Sequence, residues 1–206
     1  MKVLLINGSP RAKGCTYTAL NEVAKEIEKA GIETEIFQIG TKPLTGCTAC
    51  YACRKLGKCV IDDLANEIVA EMRRCDGFIV GSPVYYASPN GTLLALLDRM
   101  FYSGASAFAH KPAAAIVSAR RAGTTASLEV LTKYFTISQM PVVSSTYWPM
   151  VHGSTAADVE QDREGLQVMR NLGKNMAWLL KCIQSGWAHG IPAPMPDKGE
   201  RTNFIR

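Results

Sequence analysis

Apolar residues recur along this chain in short blocks that switch between two periods. Residues 2–7 (Lys-Val-Leu-Leu-Ile-Asn) form a nearly continuous apolar run that stops at Gly8-Ser9-Pro10, the pattern of a strand buried on both faces. From 16 to 30 the spacing becomes helical. Leu20, Val23, Ala24, Ile27 and Ala30 share one face, charges lie opposite, and Gly31 ends the run. Residues 33–38 alternate as a second strand. Residues 64–74 read as a helix with Asp62 and Asp63 at its start. Phe78-Ile79-Val80-Gly81 is a third strand, again leading into Gly-Ser-Pro, and 91–102 is helical. Ala113 to Ser118 make a fourth strand, 124–139 a helix, and Pro141-Val142-Val143 opens a fifth strand. The last helix is expected over 158–184, with Leu166, Met169, Leu172, Met176, Leu179, Leu180 and Ile183 as its stripe.

Strands alternating with helices imply an α/β domain, a parallel sheet with helices on both faces. The domain is expected over 1–186, with residues 187–206 as a Pro-, Gly- and charge-rich tail. One connection, 40–62, is far longer than the usual ~4–6 residues, and long connections often carry function.

Composition agrees with one ordinary domain. The chain has 206 residues, 47% of them apolar, 20% charged, and a net charge of +5 without a basic run. That balance suits an anionic small molecule and argues against nucleic acid. The start has too short an apolar run for a signal peptide, no stretch approaches a membrane helix, and the end carries no lipidation motif. A cytoplasmic protein without a membrane partner is expected. Asn90-Gly91-Thr92 is then a chance glycosylation match.

The first strand passes into the first helix through Gly8-Ser9-Pro10-Arg11-Ala12-Lys13-Gly14-Cys15-Thr16. Free N–H groups and the helix dipole make such a turn an anion site. Ser9 and Thr16 add hydroxyls, Arg11 and Lys13 add charge. The Walker loop fails, because five residues separate Gly8 from Gly14 and Cys15 stands where Lys is required. Gly-x-Gly-x-x-Gly fails at Pro10. A hydroxyl-rich loop for one terminal phosphate remains.

In a doubly wound sheet the ligand lies outside the carboxyl ends of the strands. The third strand leads there into Ser82-Pro83-Val84-Tyr85-Tyr86-Ala87, paired aromatics suited to a flat ring. The fourth leads into Ser118-Ala119-Arg120-Arg121-Ala122-Gly123-Thr124, with backbone donors and two cations. Phosphate, flat ring and positive charge together describe flavin mononucleotide (FMN).

Seven cysteines are present, and four fall in the long connection as Cys47-x2-Cys50-x2-Cys53-x5-Cys59. Two overlapping Cys-x2-Cys steps favour a compact cluster on four thiolates. Zinc more often takes two separated knuckles. Zinc, free thiols or disulfide-prone thiols stay open. The segment follows the second strand, which puts it on the flavin rim. Cys15, at a helix start, is expected to have a lowered pKa yet a structural role. Cys182 is expected in the core or buried under the tail, and Trp178 in a core or interface. His110, His152 and His189 form no metal or triad pattern, and no nucleophile elbow occurs.

Gly8-Ser9-Pro10-Arg11 with Gly14 and Thr16, Gly81-Ser82-Pro83-Val84-Tyr85-Tyr86, and the cysteine segment resemble the flavodoxin-like NADPH-dependent FMN reductases, in their iron–sulfur flavoprotein branch. The resemblance covers nearly the whole chain, including Thr202-Asn203-Phe204-Ile205-Arg206. It implies a five-stranded sheet in the order 2-1-3-4-5 and FMN bound by residues 9–16, 82–87 and 118–124. It also implies a [4Fe-4S] cluster on the four cysteines and a homodimer or homotetramer. NAD(P)H is then the co-substrate of an FMN or quinone reductase. A carrier fed by a redox protein such as ferredoxin is the alternative, and a flavin- or thiol-based sensor without turnover is a third reading. Cluster and FMN phosphate each bring about −2, which takes the +5 chain near +1 when loaded.

Overall fold

A computed structural model describes residues 1–197, 199, 200 and 202. The elements in order are β1 (Lys2–Asn7), α1 (Cys15–Lys29), β2 (Glu33–Gln38), α2 (Cys53–Leu56), α3 (Leu64–Met72), β3 (Gly77–Tyr85) and β4 (Ser88–Pro89). They continue with α4 (Gly91–Gly104), β5 (Ala113–Ala119), α5 (Thr124–Ile137), β6 (Met150–His152), α6 (Ala156–Gln161) and α7 (Arg163–Ala188).

The sheet runs β2-β1-β3-β5-β6, all neighbours parallel. With the two-residue β4 set aside, this is the expected five-stranded order. Alternation along each strand builds two cores. Leu4, Ile6, Phe78, Val80, Ala113 and Val117 face α3, α4 and α5. Val3, Leu5, Ile79, Ala114 and Ile116 face α1 and α7. Phe78 anchors the first layer and meets Phe101, Phe108 and Phe135 edge-on at 5.5–6.1 Å. Such pairs add about 0.5–1.5 kcal/mol each beyond the area they bury. In the second layer α1 and α7 cross at Gly173, where a Cβ would lie 2.6 Å from Val23 O.

Two expectations needed correction. The fifth strand does not run on from Pro141. Val143 N–H donates to Ala113 O (2.8 Å), and the chain then leaves the sheet. Ser145 Oγ and Asn175 Nδ2 tie this excursion to α7, through Val168 O and Ser144 O. The chain re-enters as β6 opposite Val117–Ala119. The helix expected over 158–184 is two helices. Asp162 leaves helical geometry (ψ 75°), accepts from Gly165 N–H to cap α7 and from His152 N–H to fix β6. Its side chain therefore competes with the backbone for the turn, as Asp does at helix starts. The last helix also continues through Ala188, past the expected tail boundary. Asn203–Arg206 lie outside the described residues.

Candidate functional site

Three loops leave the carboxyl ends of β1, β3 and β5 side by side. Their register is fixed by Asn7 opposite Gly81, and Pro83 opposite Ser118. Asn7 is fully buried. Its Nδ2 donates to Arg11 O (3.4 Å) and Ala12 O (3.3 Å), and its Oδ1 accepts from Ser9 N–H (3.2 Å). Gln38 at the end of β2 donates to Ser9 O at 2.6 Å. The loop is thus shaped before any ligand arrives. Gly8 N–H donates to Gly81 O (2.8 Å), and a Cβ on Gly8 would lie 2.7 Å from that same carbonyl.

The helices at this rim begin in two ways. Asn90 caps α4, accepting from Thr92 N–H (2.9 Å), while its Nδ2 donates to Gly8 O and its N–H to Ser82 Oγ, both at 2.9 Å. By contrast, α1 and α5 start at Gly14 and Gly123, which offer no capping side chain. The first-turn N–H groups of α1 and α5 lack intrahelical acceptors by geometry, and their dipoles favour negative charge. Uncapped starts on two helices of opposite sheet faces, both opening at this rim beside exposed Arg11, Lys13, Arg120 and Arg121, fit bound negative charge.

Against the α5 start stands a strained hairpin. Tyr85 pairs with Ser88, so Tyr86 (φ 51°) and Ala87 (φ 58°) are its two turn residues, both left-handed. Asn-Gly usually fills such turns, and a non-glycine residue there costs about 1–2 kcal/mol. Tyr86 is fully exposed and Tyr85 half-exposed at this turn. Gly123 (φ 88°) lies under it, and a Cβ there would come within 2.6 Å of Ala87 Cα. The β3 and β5 loops therefore touch, with Val84 also at the contact. Strain at a ligand-facing turn is a frequent companion of binding.

Of the residues read from the sequence, Ser9, Arg11, Lys13, Gly14, Pro83, Val84, Tyr85, Tyr86, Ala87, Ala119, Arg120, Arg121, Gly123 and Thr124 all fall on these three loops or at their ends. Others act differently from expectation. Thr16 is buried and its hydroxyl bonds Ser118 Oγ at 2.8 Å, so this pair locks α1 to β5. Ser82 is fully buried, accepting from Asn90 and donating to Pro83 O. Cys15 Sγ donates to Gly153 O at 3.6 Å, and burial pushes its thiol up, against the expected lowering by the dipole. Asn7, Gln38 and Asn90 were missed. Asn90 had a usable signal, an Asn directly before a helical pattern.

The four cysteines converge as well. Cys47, Cys50, Cys53 and Cys59 line one cavity of about 360 Å³, counting its solvent-open mouth, together with Arg99 and Tyr102. Cys47 and Cys50 are exposed, Cys53 and Cys59 partly buried. Ala49 (φ 53°) and Tyr51 (φ 57°) flank Cys50 in left-handed conformation. The Ala52 N–H and the Thr48 hydroxyl, hydrogen-bonded to Cys50, hold its thiol below the ordinary range. Cys59 is anchored differently. Its N–H donates to Asn66 Oδ1 (2.9 Å), Asn66 Nδ2 donates to its carbonyl (3.0 Å), and Arg99 Nε donates to its sulfur (3.3 Å). Among the described residues no three Cys, His, Asp or Glu side chains stand close enough to share one metal ion. The thiols as they stand are therefore not drawn together around one metal position, although all four open on the same cavity.

The cavity is not on the rim itself. Its lining on α4 spans Arg99 to Ser103. At 1.5 Å per residue these lie about 14–20 Å along α4 from the Asn90 cap. The connection starts at the rim, with Ile39 N–H on Asn7 O, and then descends along α4. Cys75 is buried, and burial pushes its thiol up to about 11. Cys182 is exposed on α7, neither in the core nor under the tail, and Trp178 is exposed there too, outside the core.

Residues 1–155 match the family model for NADPH-dependent FMN reductase. The chain is 34% identical over 193 residues to an iron-sulfur flavoprotein of Methanocaldococcus jannaschii, covering 89% of this chain and all of that protein. An iron-sulfur flavoprotein of Methanosarcina thermophila is 33% identical over 189 residues, covering 89% of this chain and 97% of that one. The fold matches the structure of a flavodoxin from the domain Archaea with a TM-score of 0.60 at 15% identity, over 88% of this chain and 99% of that one. No helix among the described residues is long and apolar enough to cross a membrane.

Proposed function

Since the chain belongs to the NADPH-dependent FMN reductase family, and so to FMN-dependent oxidoreductases, we propose that it carries electrons from NAD(P)H through rim-bound FMN to a small acceptor. We further propose that Cys47, Cys50, Cys53 and Cys59 hold a [4Fe-4S] cluster in the same circuit. The observation that carries the first part is a pair of uncapped helix starts on the rim that also bears a strained aromatic hairpin, the α5 start lying against that hairpin. The convergence of all four thiols on one cavity carries the second.

FMN, when bound, supplies hydride acceptance and single-electron transfer in one group. The protein's share is placement. The α1 start and Ser9 take the phosphate. The Tyr85–Tyr86 hairpin offers a flat apolar surface for the ring. The α5 start, with Arg120 and Arg121, puts positive potential where the reduced ring gathers negative charge. No side chain needs to act as acid or base. Exposed Trp148, Trp178 and Trp187 support assembly into a homodimer or homotetramer.

Anaerobic purification, a visible spectrum and metal analysis test this reading. About one FMN and about four each of iron and labile sulfide per chain are expected, with rapid bleaching by NADPH or NADH. A colourless protein that binds no added FMN defeats the flavin assignment. No iron after anaerobic reconstitution defeats the cluster. Bleaching by reduced ferredoxin but by neither nicotinamide makes the protein an electron carrier instead.

A further inference from the structure

Arg99 sits in an apolar stretch of α4, beside Leu96, Leu97, Met100 and Phe101, with its side chain 1% exposed. A buried guanidinium is costly unless its donors are met. All five N–H groups find acceptors. Nη1 and Nη2 donate to Asp63 Oδ2 and Oδ1, both at 2.7 Å. The outer two reach Thr45 O (3.2 Å) and Ile61 O (2.8 Å). The fifth, on Nε, reaches Cys59 Sγ at 3.3 Å. A clip holding the cysteine segment to α4 needs only the carboxylate and the two carbonyls. The fifth donor must be met as well, and its acceptor is the one sulfur in the set, which ties the buried charge to Cys59.

Cys59 also differs from its three neighbours. Cys47, Cys50 and Cys53 ride on the segment with two left-handed residues. Cys59 is clamped through its backbone by Asn66 and through its sulfur by Arg99. It is the fixed corner of the quartet, and the fixing residue carries a buried charge.

Building on the cluster reading above, we infer that Arg99 is the positioning residue of the cysteine site: it fixes Cys59 Sγ and biases the site toward its reduced state. One-electron reduction adds a negative charge beside the sulfur, and a guanidinium that is itself buried and within hydrogen-bond reach stabilises that charge. Asp63 tempers the effect by holding the other edge of the same guanidinium. The two residues therefore push the reduction equilibrium in opposite directions.

The test uses the full chain, reconstituted anaerobically, with a dithionite titration followed by electron paramagnetic resonance. The rate of iron loss to bipyridyl is measured in parallel, and FMN stoichiometry serves as the control for folding. Arg99→Lys keeps a charge but loses the planar fork. It is expected to shift the reduction equilibrium at least tenfold toward the oxidised form, 59 mV for one electron, and to speed iron loss about fivefold. Asp63→Asn keeps the cap on Ala65 N–H, since Asn caps as well as Asp. It is expected to shift the equilibrium the other way. FMN-replete variants whose potential and iron loss stay within twofold of the parent overturn the inference and leave Arg99 a structural clip. If Arg99→Lys loses FMN through misfolding, the sign of the Asp63→Asn shift decides alone. A parent chain that takes up no cluster sinks the cluster reading and this inference with it; a cluster whose potential ignores both variants sinks only the inference.

Discussion

The rim and the cysteine cavity hang on the same helix and are built in opposite ways. At the N-terminal end of α4, Asn90 ties the β1 and β3 loops together through buried hydrogen bonds, and strand register does the rest. Toward the C-terminal end, Arg99 and Asn66 hold one cysteine; Cys47 and Cys50 stand on a loop with two strained residues, and Cys53 opens the short α2 that follows it. The rim is specified by the sheet, so it is complete before its ligand binds. The cavity is specified by one long connection laid over a helix, so its geometry depends on what the thiols hold. Damage at one place should therefore leave the other working.

The sharpest break comes from Gly123→Ala. Glycine there has φ 88°, and an added Cβ meets Ala87 Cα at 2.6 Å, which is backbone and cannot rotate away. Left-handed strain of about 1–2 kcal/mol adds to about 1–3 kcal/mol of overpacking. Much of that strain can be released by separating the β3 and β5 loops, the two that would flank a flavin ring. FMN affinity is expected to fall about a hundredfold by fluorescence titration, with iron loss to bipyridyl unchanged. Equal damage to both sites would show that rim and cavity are one cooperative unit.

A smaller effect is expected from Ser9→Ala with Thr16→Val. Ser9 is buried with its hydroxyl accepting from Arg11 N–H (3.1 Å), and Thr16 spends its hydroxyl on Ser118, so the double variant removes one hydroxyl of the proposed phosphate loop and one internal lock. Each net hydrogen bond is worth roughly 1 kcal/mol. FMN affinity should drop about tenfold, and thermal unfolding should fall by a few degrees from the lost α1–β5 contact. An unchanged affinity with lowered stability would assign both hydroxyls to the fold and leave the phosphate to backbone donors alone.

What the sequence made legible follows the same division. The strands, their order and the three loops could be read because periodicity and Gly-Ser-Pro breaks report backbone geometry directly. Asn7 and Gln38 could not, since their work lies in contacts across the fold, and of Asn90 only the helix cap was readable, not its reach to Gly8, 82 positions away. The same holds for Arg99, an isolated cation in an apolar stripe whose partners, Asp63 and Cys59, lie on another helix and a loop. The thiol spacing revealed that the cysteines form one group. It did not reveal that the segment turns down along α4, because the turn is set by Arg99 and Asn66, not by local propensity. The split fifth strand escaped for a similar reason: Val142 bridges to Ala113, and the next residues are held on α7 by the Ser145 hydroxyl on Val168 O and by Asn175 Nδ2 on Ser144 O.

The finest test of the contrast is Ala49→Gly. Ala49 holds φ 53° beside Cys50, at a cost of about 1–2 kcal/mol that glycine would not bear. Glycine also loosens the unfolded chain, which takes back roughly 0.5–1 kcal/mol. The two nearly cancel, so the urea midpoint should move by no more than the equivalent of about 1 kcal/mol, upward if at all. Tyr51 would be a poor choice for this test, since its ring carries Arg54 at 4.4 Å and packs near Tyr102, and those contacts would go too. With Ala49 the conformation alone is probed. If the left-handed turn is the one the loaded site keeps, iron loss from Ala49→Gly will match the parent. Faster iron loss with an unchanged midpoint would mean that the alanine's stiffness is what presents Cys47, Cys50 and Cys53 together, and that this loop, too, is built in advance of its ligand.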